Sequence, residues 1–350
     1  MNAFSEMILA PFSAAYAATM RAREKLYRSG VFASHGIEAP VISVGNITTG
    51  GTGKTPLVAW LARTLARENV RVCILTRGYG RANPKRRVVV SDGKNILADA
   101  RAGGDEPYLL AEKLLKAGVA VISDRDRFAA AQWALAELGS NLFILDDGFQ
   151  HLRLKRDLDI ITVDATNPFG GGHLLPRGRL REPLVALKRA DCIVITRADL
   201  IPDPQALRAR LRELSDNRPA LLSHTRTSQV RPLFAATTSG TGDSLRQPVA
   251  AFCAIGNGSA FFSQLTRDGY DLCYTQRFRD HHNYTQADIN ELAREAATKG
   301  AQAVLTTAKD AVKLRSIEFP LPCYVVEIEI EFDDVDTLLE MLRKVSRKAA

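Results

Sequence analysis

The chain has 350 residues, of which 46% are hydrophobic and 25% charged, a composition that excludes a disordered or a membrane-spanning protein. This length suffices for roughly two domains, each with a core of its own. The net charge of +8 favours an anionic partner and leaves nucleic acid, an anionic membrane and a phosphorylated substrate open.

The N-terminal segment predicts an amphipathic helix. Ile8, Phe12, Tyr16 and Met20 are spaced four apart and share one helix face, followed by a basic cluster. A signal peptide would carry its positive charges before the apolar stretch, and the stretch is too short to span a bilayer. The helix either lies on an anionic membrane or packs on the protein's own core. The basic cluster consists of Arg21, Arg23, Lys25 and Arg28.

From Val41 onward, short apolar runs alternate with longer amphipathic segments, as in parallel βαβ units. Strands are predicted at Val41–Val44, Val70–Leu75, Val119–Ile122, Leu142–Leu145, Ile160–Val163 and Cys192–Ile195. Helices are predicted at Pro56–Arg67, Glu106–Lys116, Arg127–Leu138 and Gln205–Leu214. The first half of the chain should therefore fold as a helix-flanked sheet.

A turn-rich segment around Thr237–Gln247 predicts a domain boundary between residues 218 and 250. A smaller alternation follows it, with strands at Val249–Ile255, Ala303–Leu305 and Cys323–Val326 and helices from Ser259, Gln286 and Val335. The five cysteines form no CxxC pair and mostly fall in apolar runs, so we interpret them as buried thiols.

A glycine-rich loop joins the strand at Val41 to the next helix. Glycines let backbone amides turn inward around phosphates, and the helix N-terminus adds a positive dipole. We predict that this loop binds a nucleoside triphosphate, with Lys54 on the β- and γ-phosphates and Thr55 on Mg²⁺. Thr48 stands where the pattern GxxxxGK[ST] has glycine. The predicted nucleotide-binding residues are Thr48, Thr49, Gly50, Gly51, Thr52, Gly53, Lys54 and Thr55.

The apolar strand Leu142–Leu145 ends in Asp146 and Asp147, a Walker B arrangement. In an open α/β sheet, ligands bind at the carboxyl edge of the strands, where these acids fall. Because the two acids are adjacent, only one can point straight at the metal. We expect Asp147 nearer to Mg²⁺ and Asp146 to act through water.

Nucleotide binding alone leaves several classes of protein open. Partition-type ATPases carry a lysine directly before the two glycines, where this chain has Thr49. A GTPase switch or metallochaperone would read guanine through an Asn/Thr-Lys-x-Asp motif, and Thr196-Arg197-Ala198-Asp199 comes close to it. Spacing alone does not dismiss this GTPase alternative.

Six motifs, in order, resemble those of the tetraacyldisaccharide 4'-kinases of lipid A synthesis. They are Gly50-Gly51-Thr52-Gly53-Lys54-Thr55-Pro56, Arg77-Gly78-Tyr79-Gly80, Gly104-Asp105-Glu106-Pro107, Asp146-Asp147-Gly148-Phe149-Gln150-His151, Leu175-Pro176-Arg177-Gly178-Arg179-Leu180-Arg181-Glu182-Pro183 and Phe278-Arg279-Asp280-His281. The similarity extends from the first strand to Lys313 and covers most of the chain.

The resemblance implies transfer of the ATP γ-phosphate to the 4'-hydroxyl of a tetraacylated glucosamine disaccharide 1-phosphate. It implies ATP and Mg²⁺ as cofactors, and the lipid A precursor and the inner-membrane surface as partners, at which the enzyme is peripheral on the cytoplasmic face. Neither a nucleic acid nor an obligate protein partner is expected.

The resemblance also implies a P-loop NTPase-like α/β/α sandwich and a second, smaller α/β/α domain, with the active site in the cleft between them. We place an N-terminal, membrane-associating helix and basic segment at residues 1–35. The P-loop kinase domain is predicted at 36–225, and the smaller α/β domain with its linker at 226–350.

By the same resemblance, Asp105 is the base that accepts the sugar hydroxyl's proton, His281 is its charge-sharing partner, and Glu182 is a further acid of the magnesium site. Lys54 completes the catalytic set. From the residues alone, Asp105 reads first as a helix N-cap and His281 as a loop histidine. Gly256-Asn257-Gly258 is either another ligand loop or a plain turn. The predicted substrate contacts are Arg77, Tyr79, Arg125, Gln150, His151, Arg177 and Arg179.

Overall fold

The computed structural model describes residues 3–234 and 247–349. The chain divides into two compact units, the first made of Met1–His224 with Phe332–Ala350 and the second of Thr225–Glu331. Of the predicted turn-rich segment, residues 237–246 lie outside the described residues.

The end of the chain belongs to the first unit, whereas the sequence placed everything after residue 225 in the second. Asp333 donates its backbone N–H to the carbonyl of Leu222, and the Ser346 hydroxyl donates to Glu68. Phe332 contacts the ring of Trp60 at 5.0 Å between centroids. These contacts draw the last helix onto the first unit, and chain order alone does not reveal them.

The first unit is built on one sheet. Its strands are β1 (Val41–Gly45), β2 (Val72–Thr76), β3 (Val88–Asp92), β4 (Ala120–Ser123), β5 (Leu142–Asp146), β6 (Leu158–Asp164), β7 (Cys192–Thr196) and β8 (Ala220–Pro232). They lie in the order β8-β7-β6-β1-β5-β2-β4-β3. The strands pair in parallel apart from β3, which runs antiparallel to β4 and was not predicted. All six strands predicted in this half are present, shifted by at most two residues.

Helices cover both faces of this sheet. They are α1 (Ala3–Arg28), α2 (Lys54–Ala66), α3 (Ala100–Gly103), α4 (Asp105–Leu114), α5 (Arg127–Glu137) and α6 (Pro204–Leu214). Side chains alternate across a strand, so Phe143 and Leu145 of β5 pack against α5 while Leu142 and Ile144 face the opposite side. The helix-flanked sheet and the P-loop-like α/β fold are therefore confirmed for this unit.

The second unit is a smaller α/β sandwich. Its elements are β9 (Val249–Cys253), α7 (Gly258–Arg267), β10 (Leu272–Arg277), α8 (Gln286–Thr298), β11 (Ala303–Thr307), α9 (Ala308–Ala311) and β12 (Cys323–Phe332). The strand order is β10-β9-β11-β12, followed by the part of β8 beyond His224. Helix α7 packs on the face carrying Cys253, and α8 packs on the face carrying Phe252. The final helix, α10 (Asp336–Ser346), returns to the first unit.

The predicted apolar stripe of helix α1 divides into two parts. Ala17 is buried, the Ser13 hydroxyl donates to the carbonyl of Leu174, and the Tyr16 hydroxyl donates to that of Arg181. Phe12, about one turn before Tyr16, and Ile8, about two turns before it, are 61% and 49% exposed. The C-terminal half of the stripe therefore packs on the first unit, and its N-terminal half faces away. No helix among residues 3–234 and 247–349 is both long enough and apolar enough to cross a membrane.

Candidate active site

The carboxyl edge of the first sheet brings the P-loop and the Walker B acids together. Strand β1 lies between β5 and β6, and Val44 stands opposite Asp146 in the register of β1 and β5. In parallel strands the chain leaves every strand at the same edge. The loop after β1 and the acids ending β5 are therefore neighbours, as the sequence predicted.

The P-loop turns into helix α2 at Gly53, whose φ of +78° is a left-handed conformation that an L side chain adopts only with strain. Lys54 and Thr55 follow as the first two residues of the helix. Their positions place the lysine and the threonine hydroxyl at the positive end of the α2 dipole. This is the local arrangement that a phosphate-binding loop requires.

A second loop pairs with the start of the P-loop. Thr48 forms a β-bridge with Leu180, and the Thr49 N–H donates to the carbonyl of Arg179. The Arg179 guanidinium lies directly against Gly50, while Arg177, also in this loop, is partly buried. The loop that carries the two arginines predicted to contact phosphate or sugar thus lies against the P-loop. Arg179 is the nearer of the two to it.

Asp147 receives two cations. The Nζ atom of Lys54 is 3.5 Å from Asp147 Oδ1, and Arg181 grips both carboxylate oxygens at 2.8 and 3.1 Å. Burial opposes ionisation of Asp147, but Lys54 and Arg181 outweigh it and hold its pKa well below the ordinary range. Asp147 is therefore a fixed anion that holds the Lys54 ammonium at the carboxyl edge of the sheet.

Asp146 has the opposite environment. It is buried, and this burial together with the nearby Glu106 raises its pKa to about 7. A buried carboxyl whose ionisation is opposed by burial and by a neighbouring acid is the kind of group that a bound divalent cation stabilises as a carboxylate. Mg²⁺ is commonly held by one or two carboxylates completed by substrate phosphates and water. Asp146 and Thr55 fit that donor set, although no group of three or more His, Cys, Asp or Glu side chains in the described ranges has metal-binding geometry.

An arginine that the sequence analysis missed lies beside these acids. Arg127, the first residue of α5, is 7% exposed, and it lies within the electrostatic reach of Asp147 and Asp146. The predicted Arg125 is exposed. The missed signal is helical spacing, since residue 127 shares a face with the buried Ala130, Ala131 and Ala134.

Glu182 and Gln150 link the P-loop to its surroundings. The Gln150 amide donates to the carbonyl of Asn46 at 2.9 Å and to Glu182 Oε1 at 3.0 Å. The other Glu182 oxygen accepts from Arg189, whose guanidinium stacks 4.3 Å above the ring of Phe149. Both oxygens of Glu182 therefore have protein donors, and its predicted role at the metal stays a prediction.

His151 is a neutral side chain at this edge. Burial and the nearby Arg127 lower its pKa to about 4. Its Nε2 atom is buried and has no hydrogen-bond partner among the described residues. A polar atom left in this state is suited to a ligand that brings its own donor, as expected for a substrate contact.

Two glycine motifs meet at the far side of the site. Gly104 has a φ of +102°, and a Cβ there would lie 3.1 Å from the Cα of Gly78 and from the carbonyl oxygen of Tyr79. Gly104 is the N-cap of α4, and Asp105 is the first residue of the helix, so the N-cap interpretation of Asp105 is wrong. The close approach of the two backbones requires glycine and puts Asp105 beside the loop that carries the exposed Arg77 and Tyr79.

His281 belongs to the second unit. It follows β10 with a φ of +61°, and its Nε2 atom lies 3.3 Å from Lys309 Nζ and 3.9 Å from Asp280. The predicted pairing of His281 with Asp105 stays a prediction. Gly256–Gly258 is a helix start, since the Asn257 side chain accepts the N–H of Ala260 at 3.1 Å.

This chain is similar to known proteins over nearly its whole length. The family model described as tetraacyldisaccharide-1-P 4'-kinase matches residues 5–347. A tetraacyldisaccharide 4'-kinase of Desulfotalea psychrophila is 39% identical over 331 residues, which cover 93% of this chain and 94% of that protein. One of Halothermothrix orenii is 40% identical, with 92% and 88% covered.

A crystal structure of LpxK from Aquifex aeolicus in complex with ATP matches with a TM-score of 0.77 and 31% identity, covering 97% of this chain and 99% of that one. The match to the family model spans nearly all of both units. This chain belongs to the tetraacyldisaccharide 4'-kinase family.

Proposed function

We propose that this protein transfers the γ-phosphate of ATP to the 4'-hydroxyl of a tetraacylated glucosamine disaccharide 1-phosphate, the lipid A precursor. The observation that carries the proposal is the P-loop lysine fixed by a Walker B aspartate beside the Asp105 turn, in a chain of this family. The GTPase alternative, based on Thr196-Arg197-Ala198-Asp199, is not adopted, because the family model that matches residues 5–347 describes a kinase.

Phosphoryl transfer needs positioning and neutralisation of charge more than covalent chemistry. The amides of Thr48–Thr55 would hold the β-phosphate, and Lys54 would reach the γ-phosphate. Arg127 adds a buried guanidinium next to the Walker B acids, where it can meet charge that develops on the transferred group. We therefore add Arg127 to the predicted nucleotide-site residues.

Mg²⁺ would be held by Thr55 and Asp146, with Asp147 and Glu182 as the other predicted acids. When bound, Mg²⁺ would supply neutralisation of the negative charge on the phosphates. Because Lys54 and Arg181 occupy Asp147, the geometry favours Asp146 over Asp147 as the acid nearer to the metal. This reverses the order expected from the sequence.

Asp105 would accept the proton of the 4'-hydroxyl as the new oxygen–phosphorus bond forms and the bond from the γ-phosphorus to the β–γ bridging oxygen breaks. ADP leaves with that bridging oxygen. His281 would share the charge that Asp105 gains or loses. Arg77, Tyr79, Arg125, Gln150, His151, Arg177 and Arg179 remain the predicted contacts to the sugar and its phosphate.

The test is transfer of labelled γ-phosphate from ATP to the lipid disaccharide. D105N should lower turnover by about a hundredfold or more, because loss of a general base costs roughly 10²–10⁴, while ATP affinity is retained. The matched control is D99N, since Asp99 is an exposed acid six residues earlier whose side chain caps α3 through the N–H of Ala102. Equal turnover in D105N and wild type would show that Asp105 is not the general base. Absence of phosphate transfer by the wild type would refute the proposed kinase activity itself.

We also propose that helix α1 attaches the enzyme peripherally to the cytoplasmic face of the inner membrane. Ile8 and Phe12 are exposed on it, and Arg21 and Lys25 are basic residues on the same helix. Arg23 is better left out of this set because it donates to the carbonyl of Gln150 at 2.7 Å. A helix that exposes apolar side chains near one end and carries exposed basic side chains further along has the composition of an interfacial helix.

A further inference from the structure

We propose that Arg197 is a positioning residue that holds the P-loop in its phosphate-binding conformation, with Asp164 fixing its guanidinium. Arg197 belongs to the Thr196–Asp199 motif that resembles a guanine-reading sequence, and the proposed kinase reaction assigns it no role. The inference rests on nucleotide binding by the P-loop and is independent of which acceptor receives the phosphate.

A loop that points its amides at a phosphate must point several of its carbonyls away from it. Those carbonyls need donors from the protein, because a buried carbonyl without a partner costs free energy. In this chain, the carbonyl of Thr48 accepts from the Asn46 amide at 2.7 Å, and the carbonyl of Thr52 accepts from the Thr196 hydroxyl at 3.0 Å. The outward-facing carbonyls of these two residues thus have donors at the ends of β1 and β7.

Arg197 supplies the donor for a carbonyl between them. Its Nη1 atom is 2.9 Å from the carbonyl oxygen of Gly51 and 2.6 Å from Asp164 Oδ2. Both side chains are largely buried, at 15% and 7% exposure. A buried guanidinium needs a paired anion, so Asp164 both neutralises Arg197 and sets the direction of its N–H groups.

The strand register places this pair behind the loop. Asp164 ends β6 and stands opposite Thr196, the last residue of β7. Arg197 follows with a φ of +57°, a left-handed conformation that is uncommon for a side chain of this size. The chain turns here within one residue, which brings the guanidinium back beneath Gly51. The unusual backbone conformation therefore serves the contact with the P-loop.

This geometry predicts a specific pattern of nucleotide affinities. The amides of the loop hold the phosphates shared by ADP and ATP, so loosening the loop should weaken both nucleotides by a similar factor. A residue that acts on the γ-phosphate would instead weaken ATP alone. The ratio of the ADP and ATP affinities therefore distinguishes the two roles. Loss of a contact to the γ-phosphate would change this ratio, whereas loss of a support for the loop would leave it unchanged.

The experiment measures ADP and ATP binding by titration calorimetry with the full chain and no lipid. R197A should weaken both nucleotides about tenfold or more, and R197K should weaken them less, since lysine retains one donor. D164N should act in the same direction, and the double variant R197A/D164N should be no weaker than R197A alone. The matched control is R210A, an exposed arginine on α6 that pairs with Glu213, which should bind within twofold of wild type.

If R197A does not fold, T196V provides the second test. It removes the hydroxyl that donates to the carbonyl of Thr52 while keeping the shape of the side chain, and it should also weaken ADP and ATP equally. Binding of ADP within twofold of wild type in a folded R197A would overturn the proposal. Loss of ATP binding with ADP binding intact would overturn it too, because the arginine would then act on the γ-phosphate.

Discussion

Replacing His151 should change how the stability of the first unit depends on pH. Burial and Arg127 lower its pKa to about 4 in the folded protein, whereas an unperturbed histidine titrates near about 6.5. Above the higher value both states are neutral, and the histidine costs nothing. As the pH falls from about 6.5 towards 4, His151 becomes protonated in the unfolded state but stays neutral in the folded state. The free energy of unfolding therefore decreases over this range.

The magnitude follows from these two pKa values. At pH 5.0 the unfolded imidazole is almost wholly protonated and the folded one is about nine-tenths neutral, which favours unfolding by about 2 kcal/mol. H151Q removes this proton uptake. Between pH 7.5 and pH 5.0, the variant should therefore lose about 2 kcal/mol less stability than the wild type.

Urea unfolding followed by tryptophan fluorescence suits this measurement, because both tryptophans, Trp60 and Trp133, lie in the first unit. The control is H173Q, which changes an exposed histidine of the same unit and should keep the wild-type pH dependence. Parallel stability curves for H151Q and wild type would show that the His151 imidazole does not stay neutral in the folded protein, contrary to its burial beside Arg127.

Three further perturbations test other parts of the structure. G104A forces a Cβ to within 3.1 Å of the Gly78 backbone at a φ of +102°, so it should cost about 1–3 kcal/mol and lower the melting temperature; an unchanged melt would contradict the close approach. D310N alters a buried carboxylate that accepts from the Ala254 N–H and the hydroxyls of Tyr284 and Thr307. It should destabilise the protein by about 2 kcal/mol in thermal unfolding. Wild-type stability of D310N would show that these hydrogen bonds contribute little. F12S should reduce binding to anionic vesicles about tenfold, since burying a large apolar side chain contributes roughly 1.5–3 kcal/mol. V185S, at another exposed apolar position, should bind the vesicles as the wild type does. Equal vesicle binding by the two variants would show that the protein attaches through another segment.

The regular part of the fold could be predicted from the sequence because one short-range pattern decides it. Leu142–Leu145 is an apolar run of strand length, and it appears as β5 within one residue. The P-loop was equally accessible, because Gly53, Lys54 and Thr55 between a strand and a helix satisfy several local requirements at once. The Walker B acids followed from the same logic, since every parallel strand ends at the same edge.

What the sequence did not predict depends on contacts between distant residues. The sequence favours Arg125 over Arg127 because only the packing of α5 distinguishes a buried arginine from an exposed one. It favours Asp105 as an N-cap because the φ of +102° at Gly104, which moves the cap back by one residue, is set by the Gly78 backbone. The ion pair of Asp147 with Arg181, which lies 34 residues away in the chain, is likewise a contact that local sequence does not reveal.

The return of the chain end to the first unit has a consequence for protein synthesis. Asn141 donates to the carbonyl of Ala349, and Lys348 pairs with Asp157 at 2.7 Å, so these contacts join positions about two hundred residues apart. A ribosome makes the whole of Thr225–Glu331 between the two pieces of this unit. The contacts of the last helix with the first unit can therefore form only after Thr225–Glu331 has been synthesised, and a nascent chain stalled near residue 331 should carry the P-loop without them.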